Sequence, residues 1–340
     1  MIRELNIFLK KENLTMAGLG FSAGLPIMLV FSTLSVWLVK AGIERSTVTL
    51  FSWAGFAYSF KFLWSPIVDK FEIPFLKKIG HRKSWLLFTQ ILIFFSIILA
   101  SYSNPQDNLK FMAITVVLLA FFSATQDIVI DAFRIESAPE KKQGPLSSMY
   151  LAGYRIAMIV SGAGSLWLAS FLGGENYQQN IWKQVYQSIS LFMIIGLTCT
   201  LISKEPNTKN KNKINRINQI KFTLSTILSI IIFFVIFFNF PKINNLNYTF
   251  IFIINIIKIL LSFAASIFTL YVLEKIKFLP KKQSQEIFIK PITNFFIRYK
   301  KIAIIILLLI GLYRIADVVM GVMANIFYLE KGYEIKDIAT

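Results

Sequence analysis

Nine apolar runs, each long enough to cross a bilayer as a helix, constrain this chain more than any other feature. They occupy residues 15–39, 47–68, 84–103, 109–132, 147–172, 184–203, 222–240, 248–273 and 302–328. A hydrocarbon core of ~30 Å takes about 20 helical residues. The runs are continuously apolar, not alternating, and a barrel strand would be half as long, so helices are the expected spanning form. Composition agrees: 55% of residues are hydrophobic, 33 are Phe, and only 16% are charged. An all-α polytopic membrane protein is expected. The first 14 residues are polar and basic without a cleavage-site pattern. The first apolar run exceeds a signal peptide, so it is expected to stay in the mature protein.

The formal net charge is +18. Position explains that excess better than a nucleic-acid partner does. With the N-terminus placed in the cytoplasm, 25 of the 36 Lys and Arg residues fall in cytoplasmic connections, 7 fall opposite and 4 lie within apolar runs. This positive-inside bias predicts an N-terminus inside and a C-terminus outside. The basic loops then face anionic lipid headgroups, and the bilayer itself is the expected partner. The single Cys199 lies in an apolar run and the single His81 stands among basic residues, so neither a metal centre nor a cofactor is expected.

A weak internal repeat sets the domain reading. At an offset of 290, Gly42 falls on Gly332, Glu44 on Glu334 and Val48 on Ile338, each time just past an apolar run. Two sequence-related halves are the expectation. Residues 1–203 then form a six-helix first half. Residues 204–301 carry two further helices (222–240 and 248–273) between basic linkers at 204–219 and 275–301. Residues 302–340 open a second half, which this reading takes to be truncated. The two inserted helices are almost pure Ile, Leu and Phe and read as lipid-facing. Lys258 falls near the middle of one of them and is expected to pair or to snorkel.

Several charges sit where the membrane makes them costly. The second apolar run ends Ser65-Pro66-Ile67-Val68-Asp69-Lys70, and Gly80-His81-Arg82-Lys83 follows after an insert. Asp69 with Gly80, Arg82 and Lys83 resembles the loop signature of the major facilitator superfamily, and Asp69 with Arg82 suggests a charge clamp; an ordinary basic loop is the alternative. The fourth run ends with Asp127, Asp131 and Arg134 at i, i+4 and i+7, on one helix face. Asp127 lies a turn deeper than Asp131, and a carboxylate there costs ~3 kcal/mol unless it is paired, solvated or protonated. Desolvation would favour its proton. Asp131 with Arg134 also reads as a static ion pair. Lys61 in the second run and Arg155 in the fifth are expected at similar depth as buried partners for Asp127, and Arg155 has the fork to hold an anionic substrate group. Gly153, Ala157, Ser161, Ser165 and Ala169 form a small-residue stripe suited to close helix packing.

As a set, these residues carry a resemblance. Gly20-Phe21-Ser22-Ala23-Gly24-Leu25-Pro26, Lys61–Pro66, Ser123–Ala132 and Gly153-Tyr154-Arg155 resemble the AmpG-type muropeptide permeases of the major facilitator superfamily. Tyr313-Arg314-Ile315-Ala316-Asp317 resembles, more weakly, the opening of that family's second half. The resemblance implies a major-facilitator-like six-helix bundle plus about three further helices, in a bacterial inner membrane. It implies proton-coupled import of N-acetylglucosaminyl-anhydromuramoyl peptides, with Asp127 and Asp131 as coupling groups and Arg314 and Asp317 as second-half candidates. The incomplete second half leaves an alternative: a transport-inactive remnant, or a subunit that needs self-association or a partner chain. An intramembrane enzyme fits poorly, because the two carboxylates share one helix. No Gly-x4-Gly-Lys-Ser/Thr loop for ATP occurs.

Overall fold

The structure, a computed structural model, describes residues 8–173, 176–206, 216–241, 248–285 and 290–339. Those residues are helical or connecting, with no strand among them. Among the described residues, seven helices are long and apolar enough to cross a membrane: Lys11–Lys40, His81–Ser101, Leu109–Ser137, Glu140–Phe171, Gln179–Ile202, Ile220–Asn239 and Ile253–Lys275. They correspond to the first and the third to eighth apolar runs. The ninth run is a single helix, Ile302–Glu330. These segments are called spans below, by their order in the chain.

The second run departs from expectation. Residues 45–70 wind as short helical pieces: Arg45–Leu50, a 3₁₀ turn Phe51–Ala54, Gly55–Phe60, a 3₁₀ turn Lys61–Leu63 and Ser65–Lys70. Pro66 supplies the reason for the last break. It has no N–H to give the Phe62 carbonyl one turn back. Ser65 Oγ takes over that carbonyl at 3.1 Å. The tighter winding begins at Lys61, so the charged residue sits at the irregular point of its span.

By contacts the chain divides into two units. One comprises the described residues of Met1–Val68, Glu72–Asn210 and Leu308–Thr340; the other comprises those of Asp69–Phe71 and Lys211–Leu307. Residues 308–340 thus fold with the six-span unit that sequence placed at 1–203.

The first unit is built around the first and fifth spans, whose backbones touch. A Cβ on Gly153 would lie 1.9 Å from the Ala17 carbonyl oxygen, and one on Gly20 would lie 2.1 Å from that of Tyr150. Only hydrogen fits at either place. The rest of the small-residue stripe, Ala157, Ser161, Ser165 and Ala169, is fully buried. In its middle the fifth span widens to a π turn over Val160–Gly164. The Ser161 carbonyl there accepts from Thr33 Oγ1 of the first span at 2.8 Å. Trp37 stacks on Trp182 with centroids 5.8 Å apart, and Tyr186 Oη donates to the Leu29 carbonyl at 2.9 Å, tying the first span to the sixth. A buried polar seam crosses the bundle. Gln126 Nε2 donates to Ser22 Oγ at 3.0 Å, and Thr200 Oγ1 donates to Gln90 Oε1 at 3.0 Å.

The internal repeat has a structural counterpart. Gly42 and Gly332 both take positive φ, +78° and +85°. Each is followed by a bond back to the helix: Ile43 N–H to the Leu38 carbonyl at 3.0 Å, and Tyr333 N–H to the Tyr328 carbonyl at 3.2 Å. This is the left-handed helix ending that glycine favours. A short helix follows each, Arg45–Leu50 and Ile335–Ala339. The two exits also meet: Arg45 Nε lies 2.7 Å from Glu330 Oε1, and Asn325 Nδ2 reaches Ser32 Oγ at 2.6 Å.

In the second unit the seventh and eighth spans pair. Ser229 and Ser266 exchange hydroxyl-to-carbonyl bonds of 3.0 and 3.1 Å. Phe233 meets Phe263 edge-on at 5.5 Å. Lys258 places its ammonium 4.1 Å from the centre of the Phe237 ring, a cation–π contact that lessens the cost of its depth.

Candidate functional site

Two groups of charges stand out in the first unit. The deeper one joins the second and fourth spans. Lys61 Nζ lies 3.5 Å from Asp127 Oδ2, with the carboxylate side chain 13% exposed and the lysine 32%. The irregular second span is anchored beside this pair. Trp64 Nε1 donates to Thr125 Oγ1 at 3.1 Å, and its ring lies 4.9 Å from that of Phe121. Lys61 is therefore presented to Asp127 by a turn whose other side is fixed.

One turn along, Asp131 is half exposed and sits 3.5 Å from Arg134 Nη2. Arg134 also donates to Ser147 Oγ, and its own carbonyl accepts from Gln143 Nε2 at 3.1 Å, so it bridges the fourth span to the fifth. Tyr150 lies close enough to feel the charges of Asp127, Asp131 and Arg134. Its ring is 6.0 Å from that of Tyr154. Sequence reading passed over this tyrosine pair, although its i, i+4 spacing next to Arg155 was a signal for one face.

Arg155 corrects an expectation. It was expected to be buried; it is exposed, and Nη1 lies 3.8 Å from Met158 Sδ on its own helix. The fifth span buries its small-residue stripe against the first span, which turns Arg155 away from that contact. The side chains of Arg314 and Asp317, on the ninth span, lie outside the described residues.

The second group gathers where the third span begins and the fourth and sixth end. Arg82 is only 2% exposed. It is held by both oxygens of Glu136, Nε to Oε2 at 2.9 Å and Nη2 to Oε1 at 2.7 Å. A two-point carboxylate grip is what makes a buried guanidinium tolerable. Glu205, just beyond the sixth span, accepts from the backbone N–H groups of Arg82 and Lys83 at 2.8 and 3.0 Å. Lys83 Nζ returns the contact, donating to the carbonyls of Leu201 and Ser203 at 3.1 and 2.9 Å. A carboxylate thus caps the positive start of the third span, and an ammonium caps the negative end of the sixth. Gly80, with φ +110°, leaves room for this: a Cβ would sit 2.4 Å from the Glu205 carboxyl carbon. Asp69 lies in the short helix Ser65–Lys70. Neither Glu136 nor Glu205 was singled out from sequence, since each meets Arg82 from a distant part of the chain.

Membrane-length helices carrying charges matched between spans define a multi-pass membrane bundle. The chain belongs to the Major Facilitator Superfamily, whose family model matches residues 14–329. It is similar to the "Anhydromuropeptide permease" of Escherichia coli strain K12, 38% identical over 203 residues, which cover 59% of this chain and 39% of that protein. It is also similar to the "Putative transporter AmpG 4" of Rickettsia conorii, 39% identical over 178 residues, covering 52% of this chain and 42% of that protein. The chain spans about two fifths of the length of these curated relatives.

Proposed function

We propose that this chain takes part in proton-coupled import of anhydromuropeptides across a bacterial inner membrane, with its N-terminus in the cytoplasm. The observation that carries the reading is the Lys61–Asp127 pair, two opposite charges within spans and 3.5 Å apart. A partly exposed pair at that distance contributes about 1 kcal/mol. One proton on Asp127 removes the attraction and frees Lys61, so the pair is a switch that a proton can work. Asp131, nearer the end of the span and 3.5 Å from Arg134, is the second coupling group in this reading. The substrate class is supported by kinship to the Escherichia coli permease. In this reading Arg155, exposed beside Tyr154, holds the peptide carboxylate, and the Tyr150–Tyr154 pair offers rings to the sugar. Arg82, Lys83, Gly80 and Asp69 serve the gating end, and Arg314 and Asp317 serve the opposing wall. Alternating access needs two bundles around a shared site. The second bundle comes from outside the six-span unit, in the same polypeptide, a partner chain or another copy.

The test is uptake of labelled anhydromuropeptide by cells lacking their own permease. The chain is expressed alone and together with the C-terminal half of the Escherichia coli permease. Uncoupler-sensitive uptake in either arm, lost in Asp127→Asn while the protein stays in the membrane, is the expected result. No uptake in both arms, with the protein present, overturns the reading.

A further inference from the structure

The connector between the eighth and ninth spans carries eight basic residues between 274 and 301. Its ends are sharply turned. Among the described residues, Lys277 and Lys300 are the two non-glycine residues with positive φ, +60° and +47°. After Lys277 the Phe278 N–H returns to the Leu273 carbonyl at 3.1 Å, closing the eighth span. At Lys300 the short helix Lys290–Tyr299 ends and the ninth span begins at Ile302. The left-handed residue releases the short helix from the axis of the span that follows.

That short helix is two-faced. Phe295, Phe296 and Tyr299 fall at i, i+1 and i+4, on one side. Phe295 lies 5.7 Å from Phe296 and 5.1 Å from Tyr299, ring centre to ring centre, while Phe296 and Tyr299 remain 42% and 37% exposed. Lys290, Asn294 and the exposed Ile297 fall on the opposite side, Arg298 on the flank, and Lys300 and Lys301 follow at once. Arg298 sits 5.5 Å from the Tyr299 ring. An aromatic stripe flanked and followed by basic residues, joined by a sharp turn to a membrane span, is the pattern of a helix lying in the headgroup layer.

We propose that Lys290–Tyr299 is an interfacial helix that binds the anionic phospholipid surface. Its aromatic side enters the acyl boundary, and Lys290, Arg298, Lys300 and Lys301 meet lipid phosphates. Each basic residue near such a surface strengthens attachment roughly fivefold. This inference stands apart from the transport reading.

The experiment uses the whole chain in nanodiscs of phosphatidylcholine, with and without phosphatidylglycerol. Single spin labels are placed by Phe296→Cys or Asn294→Cys on a Cys199→Ser background. With phosphatidylglycerol present, the label at 296 is expected to meet oxygen several-fold more than a water-soluble nickel complex, and the label at 294 to show the reverse. Omitting the anionic lipid, or changing Lys290, Arg298, Lys300 and Lys301 together to Gln, is expected to shrink that contrast several-fold. Equal accessibility at the two positions overturns the proposal. So does a label at 296 shielded from both reagents, which means protein covers it. A contrast indifferent to lipid charge and to the Gln variant overturns the anionic recognition.

Discussion

Gly42 and Gly332 close two helices 290 residues apart with the same left-handed turn and the same return bond. Nothing lies within 4 Å of where a Cβ would stand on either. Substitution there therefore tests the backbone alone. Gly42→Ala and Gly332→Ala should each cost about 1 kcal/mol. Thermal unfolding of the detergent-purified protein measures it, and unchanged midpoints for both would mean that the turns are not held.

Gly153 makes the opposite case, since its missing Cβ would overlap a backbone oxygen at 1.9 Å. No rotamer relieves that contact, so the first and fifth spans must part. Gly153→Ala should lose several kcal/mol, of the order seen when cores are overpacked, whereas Gly144→Ala, with open space around it, should be neutral. Yield of monodisperse protein after extraction separates the two, and equal yields would count against the close approach.

The reciprocal caps at Lys83 and Glu205 predict a local effect. Glu205→Ala removes the acceptor for two backbone N–H groups and should cost about 1–2 kcal/mol. Hydrogen exchange should speed up in the first turn of the third span, at residues 81–84, before it does so elsewhere. Arg82→Lys should also destabilise, because an ammonium cannot reproduce the two-point grip on Glu136. Uniform exchange across the bundle would deny the cap its place.

For Lys61 and Asp127 the informative number is their coupling. A double-mutant cycle through Lys61→Met and Asp127→Asn should return roughly 1 kcal/mol, in keeping with partial exposure of the lysine. Additive effects would leave the 3.5 Å approach without energetic content.

Much of the architecture was legible because its signals are local. Apolar runs mark the spans to within a few residues at most ends, and the repeated glycine marks the two exits. The second span was misread as one helix, because a continuous apolar run says nothing of the carbonyl that Pro66 leaves at Phe62. The partners of Arg82 escaped for a different reason. Glu136 is 54 residues away and Glu205 123, and no periodicity links side chains that meet only after the bundle closes. Arg155 was expected inside because a charge in an apolar run suggests burial, whereas the stripe beginning at Gly153 decides which way that helix faces.

The wide turn at Val160–Gly164 bears on that stripe. Small residues recur every fourth position from Gly153 to Ala169, while an α-helix repeats every 3.6. Over four such steps a regular helix would carry the stripe about 160° around its axis. The π turn takes up one extra residue, about 100° of that drift. The turn is thus a phase correction. It lets a four-residue repeat keep facing one neighbour along the span, and deleting a single residue from 160–164 should close the wide turn into regular α-helix with Ser165 and Ala169 still on the buried face, whereas inserting one residue there should rotate them off it and leave Gly153 and Ala157 in place.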